Sequence, residues 1–168
     1  MLGLVLIFHI NKHKMLERKQ KLLELEKTNK YFFHGSEKEI DIFKPHQAYN
    51  WRNGVKEKDG EPATFASPSV NYAIFMAIFN KKNCPNELKS GVKVSAENIE
   101  SNKFEITFET SRGTLANLVT NATGYVYVFD RKDFPKRNSP AEYMSHSEVT
   151  PLEKILVTKE DLSKLAIL

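Results

Sequence analysis

The stretch KFEITFET, residues 103–110, alternates Phe104, Ile106 and Phe108 with charged or polar neighbours. A repeat of two places one apolar row on one face of an extended chain, so this run reads as a half-buried strand. GYVYVFD, with its β-rich run from Tyr125 to Asp130, reads as another strand. So do AEYMSHS (141–147) and EKILVT (153–158). KEDLSKLAI (159–167) reads as a short closing helix. The first part of the chain has a different period. Between Lys14 and Lys27 the apolar residues Met15, Leu16, Leu22, Leu23 and Leu25 are spaced as a loose helix face among Glu and Lys. Helices early and strands late predict an α+β domain.

A chain of 168 residues suits one domain and can bury a core without covalent staples. Apolar residues make up 40% and charged residues 27%, a soluble globular balance rather than a disordered one. The lone cysteine, Cys84 in KKNCPN, excludes a disulfide framework and a thiolate metal cluster, and reads as incidental. The net charge of +4 permits an anionic ligand or a nucleic-acid target without requiring one. Much of the excess lies in NKHKMLERKQK (11–21), which reads as a solvated helix face. The opening MLGLVLIF is too short to span a bilayer. Its basic residues follow the apolar run instead of preceding it, so it does not read as a secretory signal, and a cytoplasmic protein is expected. It reads instead as a docking segment, or as an extension ahead of a second start at Met15.

Three local features carry chemistry. The aromatic run YFFHGS (31–36) reads as a short strand whose end holds His34, Gly35 and Ser36, and a glycine there suits a close approach to the backbone. ATFASPSVNYAIFMAIFN (63–80) reads as a strand end at Thr64 to Ala66, then a helix. Ser67 is its expected N-cap and Pro68 its first residue, with Ala73, Ile74, Ala77 and Ile78 on the buried side. Glu142 and Tyr143 open a strand. Between the first two features, Pro45 to Pro62 has little periodicity and reads as a long functional loop.

HGS, then TFASPSVNY with Tyr72, then Glu142–Tyr143 followed by PLEKILV, stand in an order that resembles the ADP-ribosyltransferase superfamily. Within it the likeness is to the diphtheria-toxin and poly(ADP-ribose) polymerase branch, with its His-Tyr-Glu triad. The resemblance covers Tyr31 to Thr158. It implies a split antiparallel sheet preceded by an N-terminal helical extension (1–30), with the transferase-like domain over 31–168. It further implies cleavage of the nicotinamide–ribose bond of NAD and transfer of a single ADP-ribose to a protein or nucleic-acid acceptor. There is no room for the branch's helical regulatory domain, so chain elongation is not expected. TSRGTLANLVTNATG (110–124) is only vaguely similar to the family's acceptor-recognition segment.

By the same resemblance, Glu142 would place a negative charge beside the developing ribosyl cation and accept a hydrogen bond from the nicotinamide ribose. His34 would position the adenosine ribose. Tyr72 would stack on the nicotinamide ring. Gly35 would offer its backbone to the carboxamide, and Ser36 would add a hydroxyl. Tyr49 and Arg52 fall in the long loop that would cover the dinucleotide, Arg52 facing the pyrophosphate. Glu148, six residues after Glu142, is the reserve carboxylate, since a regular strand would give both one face. NAD is the expected co-substrate, and no metal is expected. His9 and His13 share a helical spacing without a third ligand. Two other readings use the same pieces: an NAD-dependent RNA 2′-phosphotransferase, and a non-catalytic module binding NAD or ADP-ribose. If the three matches are chance, a plain structural domain remains.

Overall fold

The computed structural model describes residues 17–52, 54–98 and 103–168. Its elements make an α+β protein with mostly antiparallel sheets. Helix α1 covers residues 17–27, α2 is Val70–Ile78 and α3 is Arg112–Asn117. The strands are β1 (Tyr31–Ser36), β2 (His46–Arg52), β3 (Val55–Ala66), β4 (Ser90–Ala96), β5 (Phe104–Thr110), β6 (Thr123–Asp130), β7 (Lys136–Ser139), β8 (Glu142–Ser145), β9 (Glu153–Thr158) and β10 (Ala166–Ile167). They form three sheets, ordered β1-β6-β9, β10-β5-β4 and β2-β3-β8-β7. Among the described residues, only the β10–β5 pair is parallel.

Strand β6 is central because both its faces are apolar. Val126 and Val128 face α2, while Tyr127 and Phe129 face an aromatic cluster with Phe32, Phe43 and Phe134. Helix α2 lies between two sheets. Ala73, Ile74, Ala77 and Ile78 pack on the β1-β6-β9 sheet, as the sequence predicts. The helix has a second buried face that the sequence reading leaves out: Phe75 meets Phe108 of β5 and buried Cys84. A helix apolar nearly all round is one that is enclosed. Leu22 of α1 is fully buried in the same core as Ile74, and the Glu26 carboxylate accepts from the Val70 N–H at 3.0 Å, where α2 begins.

Gly35 and Gly124 set how closely α2 approaches. A Cβ on Gly35 would stand 1.8 Å from the Ala73 carbonyl oxygen, and one on Gly124 would stand 2.3 Å from that of Ala77. Two strand glycines opposite two helix alanines make a shallow trough that holds the helix axis against β1 and β6.

Several elements differ from their sequence reading. Pro45 to Pro62 is not a loop, since most of it forms the antiparallel β2–β3 hairpin. Alternation is poorly visible there because Lys56, Glu57 and Lys58 follow one another as polar residues, all exposed. The closing helix is instead a single 3-10 turn over Lys159–Asp161, followed by β10. The N-cap of α2 is Ser69, whose hydroxyl accepts from the Tyr72 N–H; Ser67 still belongs to the strand, exchanging two backbone bonds with Phe33. Residues 90–96, unassigned from sequence, form β4. No described helix is long and apolar enough to cross a membrane. MLGLVLIF, His9 and His13 lie outside the described residues.

Candidate functional site

One pair of backbone bonds joins two of the sheets. Phe33 of β1 donates to the Ser67 carbonyl at 2.7 Å and accepts from the Ser67 N–H at 2.8 Å. Beyond this bridge β1 and β3 part, and a cleft of about 190 Å³ opens between them. Register explains what reaches it. In the β3–β8 pair, Ala66 faces Tyr143, so one further step sets Glu142 opposite Ser67. The first residue of β8 therefore lies across a single residue from Phe33, in the middle of β1. Helix α2 starts just after Ser67 and turns Tyr72 and Met76, one helical turn apart, toward the same space.

His34, Tyr72 and Glu142 all line this cleft, with Gly35, Phe65 and His46. The Tyr72 hydroxyl donates to Glu142 Oε1 at 3.1 Å, and the Asn138 amide donates to Oε2 at 3.0 Å. Each carboxylate oxygen thus has one protein donor and retains lone pairs for another. Burial pushes the Tyr72 phenol above the usual tyrosine range, and the Glu142 charge and hydrogen bond push the same way. The phenol is accordingly a fixed donor at neutral pH.

His34 Nδ1 lies 2.7 Å from the Phe65 carbonyl oxygen. A carbonyl only accepts, so Nδ1 carries the proton, and in the neutral ring Nε2 keeps its lone pair. Burial lowers the His34 pKa and nearby His46 lowers it further, against the effect of the Phe65 bond. The ring also packs edge-on against Phe43, at 4.9 Å between centroids. The result is a neutral, directionally fixed imidazole, suited to hydrogen-bonding a sugar hydroxyl more than to carrying charge.

Gly35 combines close packing with a backbone face turned away from β6. Its missing side chain admits α2, as above. Its backbone has the same orientation as that of Phe33, two residues earlier, whose N–H and C=O point away from β6. The Gly35 peptide groups therefore point toward the cleft side of β1, where a flat amide could pair with them.

No family model, curated protein or solved structure matches the chain.

Other expected residues lie elsewhere. The Ser36 hydroxyl accepts from the Lys38 N–H at 3.1 Å and serves a local turn. Tyr49 is exposed on the hairpin under the Lys56 ammonium, 4.2 Å from its ring centroid. Arg52 ends β2 in the backbone register, and its side chain lies outside the described residues. The reserve carboxylate Glu148 is exposed and paired with Lys44 at 3.4 Å. Strand β8 ends at Ser145, so the strand period does not carry Glu142's face on to Glu148. Among the described residues, no cluster of His, Cys, Asp or Glu is arranged to hold a metal.

Sequence reasoning missed His46, Met76 and Asn138. Met76 follows Tyr72 by four on a helix, a spacing that could have found it. RNSPAEY can be read as two strands around Pro140–Ala141, which sets Ser139 opposite Glu142; the bulge that brings Asn138 to Glu142 has no signal of its own. His46 sits in a stretch without period, and nothing in the sequence singles it out.

Proposed function

We propose that the chain is an NAD-dependent mono-ADP-ribosyltransferase with the split-sheet fold of that superfamily, and that the cleft at the β1–β3 bridge receives the nicotinamide end of NAD. The observation that carries this reading is the Tyr72–Glu142 hydrogen bond at 3.1 Å inside a cleft that His34 also lines. An aromatic ring next to a carboxylate suits a flat pyridinium bonded to a sugar. The ring face attracts the cation, and the carboxylate sits where positive charge moves onto the ribose.

The chemistry asks little else of the protein. The nicotinamide–ribose bond breaks with its electron pair leaving to the pyridinium nitrogen, which becomes neutral. The ribosyl C1″ becomes an oxocarbenium ion, and an acceptor oxygen or nitrogen then bonds to it and gives up a proton. Glu142 stabilises that cation and accepts the ribose hydroxyl. Tyr72 fixes the leaving ring, the Gly35 backbone holds its carboxamide, and the His34 imidazole orients the second ribose. Positioning and a fixed negative charge are the main contributions. The cleft is smaller than the roughly 300–1,000 Å³ of complete small-molecule sites. It suits one ring with part of its sugar, and the remaining dinucleotide would lie along the open β2–β3 side, next to His46.

The test is nicotinamide release from NAD, measured alongside NAD binding by calorimetry. Glu142→Gln keeps the shape and removes the charge. It is expected to lower release by at least about a hundredfold while NAD still binds. Undiminished release in this variant, or no binding of NAD by the wild-type protein, would contradict the proposal.

A further inference from the structure

We propose that Asn138 is a positioning residue that fixes the Glu142 carboxylate through its outer oxygen. This inference rests on the reading of Glu142 as the charge beside the ribosyl cation. Strands β7 and β8 are joined by a two-residue turn at Pro140–Ala141, and Ser139 pairs with Glu142. Arg137 pairs with Tyr143, so Asn138 is the extra residue where the register shifts. Bulges of this kind re-aim a side chain beside a site. Here the Asn138 amide donates to Glu142 Oε2 at 3.0 Å. A carboxylate offers only acceptors, so the nitrogen of the amide must face it.

The two donors to Glu142 come from independent elements. Tyr72 belongs to α2 and reaches Oε1 from the half-buried side, whereas Asn138 sits on the exposed edge strand of its sheet. A carboxylate held by one donor can still rotate about that bond. Held by two, its plane is set, and the negative charge stays where the cation forms. Displacements on the order of an ångström are costly in such chemistry, which is why an outer donor matters. The remaining lone pair on each oxygen is free for a ribose hydroxyl and for an incoming acceptor.

The experiment uses wild-type protein, Asn138→Ala and Asn138→Asp. Crystal structures of the three without NAD show the plane of the Glu142 carboxylate, and nicotinamide release is measured with NAD. Losing the outer donor is expected to let that plane turn about the Tyr72 bond in Asn138→Ala. In Asn138→Asp the new carboxylate repels Glu142 and turns it further. Release is expected to fall about tenfold in kcat with KM for NAD nearly unchanged, as for other residues that orient a reacting group from behind. A role in folding alone would lower Tm and leave the carboxylate in place. A Glu142 carboxylate that keeps its plane in both folded variants overturns the proposal, as does unchanged kcat. The structures need no NAD, so they still decide the Asn138 contact if the wild-type protein releases no nicotinamide. That last outcome would count against the proposed function alone.

Discussion

His34 ties the stability of the fold to pH. Its folded-state pKa is depressed, first by burial, while an unfolded histidine titrates near 6.5. Below that value the unfolded chain binds a proton that the folded chain resists, so stability declines as pH falls from 6.5 through the lower folded value. Above 6.5 this contribution is fully present. Chemical denaturation between pH 7 and pH 5 should show that decline. His34→Asn keeps a donor for the Phe65 carbonyl and does not titrate, so its slope should be flatter over the same window. Equal slopes would mean that the imidazole is not held neutral. The resemblance to the ADP-ribosyltransferases points to His34, Tyr72 and Glu142, and all three line one cleft. Their partners were not legible. Asn138 and the Phe65 carbonyl act through tertiary geometry, and neither carries a local pattern of its own.

Helix α2 and strand β1 are the elements that build the cleft, and small residues decide their spacing. The sequence suggests that Gly35 serves a ligand, whereas the structure gives it a packing role as well, since a Cβ would stand 1.8 Å from a helix carbonyl. Gly35→Ala should destabilise the protein by about 3 kcal/mol, because backbone atoms cannot step aside as a side-chain tip can. Gly124→Ala makes the same demand on the helix one turn later, at the Ala77 carbonyl. It stands apart from the cleft lining, so it separates packing from binding. Urea denaturation of both variants checks this, and a cost under about 1 kcal/mol in each would show that the helix is free to lift. At this scale, strands with one clearly apolar face were legible: β5, β6 and β9 alternate or run apolar. The β2–β3 hairpin was not, because residues 54–58 are all exposed and leave no period to read. KEDLSKLAI reads as a helix from sequence, but buried Asp161 accepts from the Thr158 N–H at 2.9 Å and closes a single 3-10 turn. The chain instead extends after Leu162 to pair β10 with β5.

The whole molecule is organised around one junction. Three sheets and a buried helix leave β1, β3 and β8 meeting at Ser67, where a single backbone bridge holds two sheets together and lets them diverge. Residues 34, 72 and 142 are far apart in the chain and converge because each lies close to that junction on its own element: His34 next to Phe33, Tyr72 in the first turn of α2 and Glu142 at the start of β8. The mixed α+β character follows from sequence periods. The order of strands does not, since pairing β6 between β1 and β9 is a long-range choice that no local window contains. The most direct test of the account is a crystal structure of the Glu142→Gln protein soaked with NAD. The account predicts the nicotinamide ring against the Tyr72 ring, its carboxamide on the Gly35 backbone and a ribose hydroxyl within hydrogen-bond distance of the side chain at 142. A dinucleotide bound on another surface, with the β1–β3 cleft empty, would contradict it.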